Sequence, residues 1–257
     1  MTGATQGRRQ IQSVETTLRM IEILKDREGA GVTELADALG LNKGTVHTHL
    51  STLRENEYVI NDDGTYRLSL RFLDLGEFVK DRVEFYEVVK NEVHDLAQDC
   101  GEVAQFATEE HGKAVYLYKS ESEQGVQTAS RTGMREYLHC LSLGKAMLSA
   151  FPRERVEEIV DRHGLPQYTE NTVSSRSELF AELETVRERG YATDDGEKIA
   201  GLRCVAAPVV ASDGEVIGAI SVTGPASRMQ DERWEQTLPD KVIRSANVIE
   251  LNAQFSD

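Results

Sequence analysis

The densest grouping of chemistry-bearing side chains lies between residues 190 and 209. Gly190-Tyr191-Ala192-Thr193-Asp194-Asp195-Gly196-Glu197 is followed by Gly201-Leu202-Arg203-Cys204-Val205-Ala206-Ala207-Pro208-Val209, so small residues stand beside hydroxyls, a thiol and acids. The stretch 142–148, SLGKAML, adds Leu143-Gly144-Lys145. A glycine at a helix start leaves backbone N–H groups able to take an anion. Ser221 and Thr223 alternate onto one face of the last strand. Together these features point to a pocket for a small polar acid, and a glycine turn without a ligand is the plain alternative. Cys204 as a nucleophile needs a histidine and an oxyanion hole. His139 is the only candidate partner and nothing in the sequence sets it in place. An inert buried thiol is therefore expected, with no catalytic residue. Asp194, Cys204 and His139 do not have the spacing of a zinc site, so neither a metal nor a cofactor is expected.

A second group lies near the N-terminus. Lys43, Thr45, His47 and Thr48, with Ser51 and Thr52 further along, fall on the outward side of a short helix. A recognition helix presents such residues to base edges, lysine reaching phosphate or guanine and hydroxyls reaching either base or backbone. Arg8, Arg9, Arg19, Arg54 and Arg67 are available for phosphates besides Lys43. His47 and His49 stand two apart, which is wrong for one helical face and excludes a shared metal.

The elements that must position these groups follow from periodicity. Val14, Leu18, Ile21 and the Ile23/Leu24 pair form a helical stripe over 14–27, stopped by Gly29 and Gly31. Thr33 can cap a second helix, Glu34 to Leu39, and Asn42 a third, Lys43 to about Asn56, with Val46, Leu50 and Leu53 inward. Tyr58-Val59-Ile60 and Tyr66-Arg67-Leu68 flank a turn at Asn61 to Gly64 and read as a hairpin. Three helices and a hairpin make a winged helix-turn-helix. Leu70 to Phe78 reads as a linking helix and 83–100 as a longer amphipathic one.

Beyond Gly101 the pattern is mixed. Strands are expected at Glu102–Thr108, Ala114–Lys119 and Val126–Ala129, and a hairpin pairs Cys204–Ala211 with Val216–Thr223. Helices are expected at Ser142–Ala150, Arg153–His163, Ser177–Arg189 and Lys241–Ala253. The second domain is therefore α+β.

Composition bounds the function. The net charge is −15, with −2 on residues 1–80 and −13 on the remainder, so any DNA contact must be a local exception to a repelling field. Arginine outnumbers lysine 20 to 9, and this acid-rich, lysine-poor balance suits a halophilic interior where salt screens charge. No apolar run reaches the ~20 residues of a membrane helix, and the polar N-terminus is no signal peptide. Cys100, Cys140 and Cys204 are odd in number and widely spaced, which fits a cytoplasmic protein without a disulfide framework.

In this order and spacing the two clusters resemble the IclR-type family of bacterial and archaeal transcriptional regulators, over about residues 12–250. The resemblance is carried by Ser13-Val14 with Leu18, Ile21 and Leu24, then Leu35-Ala36, Leu41-Asn42-Lys43-Gly44-Thr45-Val46-His47, Leu50, Thr52-Leu53 and Tyr66-Arg67-Leu68. In the C-terminal part it rests on Leu138-His139, Gly144-Lys145-Ala146, Thr169 to Thr172, Gly190-Tyr191-Ala192 with Asp194 and Glu197, and Gly201 to Pro208. It implies an α+β protein. A winged helix-turn-helix (1–69) and a linker helix (70–82) would precede a GAF-like effector-binding domain (83–257).

It further implies a homodimer or homotetramer on pseudo-palindromic, double-stranded promoter DNA. The protein would be a ligand-responsive regulator, repressor or activator, of a catabolic operon, sensing a small organic acid or related metabolite. An effector-independent DNA-binding protein with a vestigial pocket is the alternative, and an enzyme using Cys204 is a more distant one. Pocket residues of family members that bind small carboxylates are matched here by Leu143, Asp194, Leu202, Cys204, Ser221 and Thr223. The chain departs from the family at Gly44, commonly serine, at Thr48, commonly arginine, and at His49, usually leucine. Leu143 is larger than the residue usual there.

Overall fold

A computed structural model describes residues 10–126 and 128–253 and divides the chain into two compact units, one up to Arg82 and one from Val83. Arg8 and Arg9 lie outside the described residues.

The N-terminal unit runs α1 (Gln12–Asp26), β1 (Ala30–Gly31), α2 (Val32–Leu39), α3 (Lys43–Glu55), β2 (Val59–Asp62), β3 (Thr65–Leu68) and α4 (Arg71–Lys80). The three strands form an antiparallel sheet in the order β1-β3-β2. The β2–β3 turn is tighter than expected, because Asp63 and Gly64 both take positive φ, as a two-residue type I′ turn requires. The start of α2 differs as well. Gly31 is its N-cap, and the Gly31 N–H donates to Glu34 Oε2 at 2.8 Å. Val46, Leu50 and Leu53 of α3 face inward as expected and pack with Leu35 and Leu39 of α2. The expected stripe of α1 is corrected. Met20 and Leu24 enter the core, whereas Val14 and Leu18 are 52% and 58% exposed. Both are apolar positions of one helix, but they lie on a second face that the core does not reach.

The C-terminal unit is built on one six-stranded antiparallel sheet in the order β6-β5-β4-β9-β8-β7. Its strands are β4 (Val103–Glu110), β5 (Lys113–Glu121), β6 (Arg135–Tyr137), β7 (Ala192–Asp195), β8 (Leu202–Val210) and β9 (Val216–Pro225). Its helices are α5 (Tyr86–Cys100), α6 (Ser142–Ala150), α7 (Arg153–His163), α8 (Arg176–Arg189) and α9 (Leu238–Ala253), the last preceded by a π-helical turn at Arg233–Thr237. Strand alternation separates the two faces of the sheet. Phe106, Val205, Ile220 and Val222 pack with α5 and α9, while Ala107, Ala192, Ala206 and Ala219 pack with α6, α7 and α8. The small residues on the second face let α6 come close to the strands. The strand expected at Val126–Ala129 is not formed by its described residues.

Candidate functional site

On the alanine-rich side of the sheet, register brings the expected pocket residues together. Asp194 of β7 pairs with Cys204 of β8, and Cys204 with Thr223 of β9. One step along, Ala206 pairs with Ser221, and Ser221 with Gln105 of β4. Strand alternation therefore puts Gln105, Asp194, Cys204, Ser221 and Thr223 on a single face. Over one end of it lies a cavity of about 200 Å³, smaller than the ~300–1,000 Å³ of drug-sized sites. Asp194, Cys204 and Thr223 line it together with Leu202. Tyr116 and Gln105 extend the floor, Thr128 to Ser130 form one wall, and Glu136, Leu141 and Lys198 also line it.

Leu143 and Ser221 are not among the lining residues. Leu143 is buried in the core beside α8, so it does not narrow the cavity. Ser221 is buried beneath it, and its Oγ has no hydrogen-bond partner among the described residues. Nor is the start of α6 an anion cradle. A Cβ added at Gly144 would stand 2.0 Å from the Leu138 carbonyl oxygen, so close backbone packing is what requires this glycine. Lys145 is fully buried and donates to Glu182 Oε1 at 2.5 Å and to Glu197 Oε1.

The polar groups of the cavity are held by short-range order. The Glu197 N–H donates to Asp194 Oδ1 at 2.6 Å. Burial pushes the Asp194 carboxyl up to about 6 against the lowering effect of that bond. Burial likewise pushes Glu197 up to about 7, while Lys145 pulls it down. Lys198 Nζ donates to Glu136 Oε2 at 2.6 Å and lies 3.6 Å from the centre of the Tyr168 ring, tying the 194–199 segment to β6. Lys119 Nζ donates to the carbonyls of Thr128 and Ser130 at 2.9 and 3.1 Å, and the Gln105 amide donates to Ser130 Oγ. Thr223 Oγ1 donates to Cys204 Sγ at 3.2 Å, and burial raises that thiol well above its usual range, so it is a poor nucleophile. His139 instead bonds the Pro166 carbonyl through Nε2 at 3.0 Å and does not line the cavity. Among the described residues no group of histidine, cysteine, aspartate or glutamate could hold a metal ion.

Gln105, Tyr116, Ser130, Glu136 and Lys198 were not anticipated. Gln105 had a signal, being a polar residue inside an otherwise apolar strand, whereas Ser130 and Glu136 had none.

In the N-terminal unit, Asn42 caps α3 by accepting from the Thr45 N–H at 2.8 Å and from Thr45 Oγ1 at 3.1 Å. Lys43, His47, Thr48 and Thr52 are exposed along the helix, with Thr45 and Ser51 half-buried. Thr48 and Thr52 donate their hydroxyls to the carbonyls of Gly44 and Thr48, which leaves their oxygens able to accept. Ser51 Oγ lies 3.4 Å from His47 Nδ1. Arg67, exposed on the wing strand β3, pairs with Asp62 at 3.2 Å, a surface pair that a phosphate can displace at small cost. His49 does not simply expose itself where leucine is usual, because its Nδ1 lies 2.7 Å from Thr17 Oγ1 and bridges α3 to α1.

A winged helix-turn-helix joined in one chain to an α+β domain with a small, mostly apolar cavity carrying a few polar groups is the plan of a DNA-binding transcriptional regulator. A family model described as the IclR helix-turn-helix domain matches residues 13–63, and one described as the bacterial transcriptional regulator IclR C-terminal matches residues 78–251. The chain belongs to the IclR family of transcriptional regulators, which are not enzymes. It is 33% identical over 250 residues to the "Probable HTH-type transcriptional regulator ArcR" of Halobacterium salinarum, covering 96% of this chain and 95% of that one. It is 28% identical to the transcriptional repressor IclR of Escherichia coli, covering 94% and 90%. Among solved structures, an IclR transcriptional regulator from Alicyclobacillus acidocaldarius superimposes with a TM-score of 0.80 at 26% identity over 95% of this chain and 99% of that one. An IclR homologue from Microbacterium hydrocarbonoxydans, crystallised with 4-hydroxybenzoate, has the same fold with a TM-score of 0.79 at 22% identity, covering 95% and 98%. Among the described residues no helix is long and apolar enough to cross a membrane.

Proposed function

We propose that the protein is a ligand-responsive regulator of a catabolic operon, working in the cytoplasm, whose cavity takes a small organic acid or related metabolite. The observation that carries this reading is the convergence of Asp194, Cys204 and Thr223, from three neighbouring strands, on one cavity. An apolar body fits its walls, and Gln105, Tyr116, Ser130 and Lys198 offer hydrogen bonds for a polar end. Leu143 and Ser221 act from behind the lining, through packing and through the buried Ser221 hydroxyl. A pocket closed by Leu143 would favour the effector-independent alternative, and the position of that residue in the core removes this support.

Promoter DNA is assigned to the outward side of α3, through Lys43, Thr45, His47, Thr48, Ser51 and Thr52, with Arg67 on the wing. Residues 1–69 serve as the DNA-binding domain, 70–82 as the linker and 83–257 as the effector domain. Self-association is supported by apolar side chains left exposed on α1 and around α4, among them Ile11, Val14, Leu18, Leu73 and Phe78. In a homodimer or homotetramer, an effector acts by preferring one arrangement of the subunits. The acid-rich surface suits this to concentrated salt.

Two substitutions test the separation of roles, with the operator first located by genome-wide occupancy of the tagged protein. Lys43→Ala should weaken operator binding by roughly 1–2 kcal/mol in a fluorescence-anisotropy titration. An unchanged affinity removes Lys43 from the interface. Asp194→Ala should abolish or shift the response to metabolites of the regulated operon while operator affinity without ligand stays as it was. Loss of both together contradicts the assignment.

A further inference from the structure

A second cleft, of about 340 Å³, opens on the other side of β6 and shares no lining residue with the effector cavity. It is lined by His111, Lys113, Arg135, Arg162 and His163, all basic. They come from three places. His111 and Lys113 belong to the β4–β5 turn and its exit, Arg135 to the edge strand β6, and Arg162 and His163 to the last turn of α7. We propose that this cleft is a binding site for a small phosphate-bearing anion.

Charge accounting supports the assignment. The unit from Val83 onward carries −13, so its cations have carboxylates in excess. Among the described residues, its only lysines and arginines without a carboxylate at ion-pair distance are Lys113, Arg131, Arg135, Arg162, Arg189 and Arg244. Half of these line the one cleft, with two imidazoles beside them. Like charges gathered without a counter-charge repel one another, and a bound anion removes that cost. The dipole at the end of α7 favours a cation there, which accounts for Arg162 and His163 but not for groups supplied by β5 and β6.

The cleft is also built rather than incidental. His111 and Gly112 both have positive φ, at 56° and 82°, and form the two-residue β4–β5 turn. The His163 Nε2–H donates to the His111 carbonyl at 2.7 Å, locking α7 to that turn. The positive φ of Gly112 favours glycine there, and an added Cβ would also meet His163 Nε2 at 2.6 Å and press on this contact. Arg135 Nη2 donates to the Glu110 carbonyl at 3.1 Å, and Lys113 Nζ is held 4.3 Å from the centre of the Tyr137 ring. Two guanidiniums and an ammonium, with Arg135 tethered and Lys113 framed, match the charge and fork geometry of a phosphate better than that of a carboxylate. Free polyphosphate and a phosphorylated metabolite share this chemistry.

The test is calorimetric titration of the full chain with inorganic pyrophosphate, with glucose 6-phosphate and with succinate, at constant ionic strength in chloride. We expect saturable binding of phosphate compounds, one per chain, with the tighter of pyrophosphate and glucose 6-phosphate identifying the source, and no comparable binding of succinate. Arg135→Gln/Arg162→Gln should weaken it by at least roughly tenfold, and Lys113→Gln should also weaken it. Arg244→Gln, at an exposed and equally unpaired arginine, should leave it unchanged. Thermal midpoints check that the variants remain folded. Absence of saturable phosphate binding, equal binding of succinate, or indifference to the paired substitution overturns the proposal. So does a loss of operator affinity in the paired variant without any phosphate binding, which would make the patch a nucleic-acid contact.

Discussion

Lys145→Met is expected to lower the stability of the protein by about 3–5 kcal/mol in denaturant unfolding. The ammonium is fully buried and reaches two carboxylates, Glu182 and Glu197, the latter itself 7% exposed. Methionine matches the volume but leaves those charges without a counter-ion, beside the buried Asp194. Breaking such a group from one side costs far more than the group contributes as a whole, because the orphaned charge stays in a poorly solvated place. Two features distinguish this from a simple packing defect. Adding Glu197→Gln to the variant should recover part of the loss, since it removes one stranded charge. The deficit should also be smaller at about pH 5 than at about pH 8. Burial already raises Glu197 to about 7 with Lys145 pulling it down, so without the lysine it rises further and acidification neutralises it in the folded state. A loss below about 1 kcal/mol, or one independent of pH, would mean that water reaches this network.

The same lysine explains why a packing residue belongs to a functional motif. Glu197, which Lys145 holds, donates its N–H to Asp194 Oδ1, and the next residue, Lys198, closes the cavity against Glu136. Lys145 therefore sets the backbone from which two lining groups project, without lining anything itself. Its position next to a glycine at a helix start invites an anion-binding reading, because sequence alone cannot say whether the first turn of a helix faces a cavity or a strand.

Other parts of the architecture divide along the same line. The α3 helix was legible because its cap, Asn42, and its inward Val46, Leu50 and Leu53 are local signals. The long hairpin β8–β9 was legible for a similar reason, and with it the alternation that puts Cys204 and Thr223 on one face. Strands β1, β6 and β7 are two to four residues long, too short to show a period, and they exist only because a longer neighbour pairs with them. The wall at 128–130 is irregular chain fixed by Lys119 and Gln105, contacts that no spacing encodes. In α1, spacing puts Val14 and Leu18 on an apolar stripe but does not say which side of the helix the core covers. A helix with two apolar faces satisfies only one of them within its own unit, and the other stays exposed.

Gly144→Ala is expected to be nearly as damaging, at about 3 kcal/mol or more, although it adds a single methyl group to a helix and alanine is the better helix former. The reason is geometric. The new Cβ would lie 2.0, 2.4 and 2.5 Å from the carbonyl oxygen, Cα and carbonyl carbon of Leu138. All three are backbone atoms, so no side chain can rotate away, and either α6 or the 138–141 segment must move by about an ångström or more. Helix α6 has little room to do so, being buried from Ser142 to Ser149. The segment runs from β6 to α6 and ends at Leu141 in the cavity wall, so its displacement should impair the effector response as well as stability. Gly76→Ala is the matched control. It lies within α4 with nothing within 4 Å of its added Cβ, and there the same change should be neutral or stabilising by about 0.5–1 kcal/mol. Unfolding midpoints of the two variants, measured side by side, separate helix propensity from close approach. If Gly144→Ala behaves like Gly76→Ala, the glycine is not there for packing, and the start of α6 must again be considered as a surface that meets a ligand.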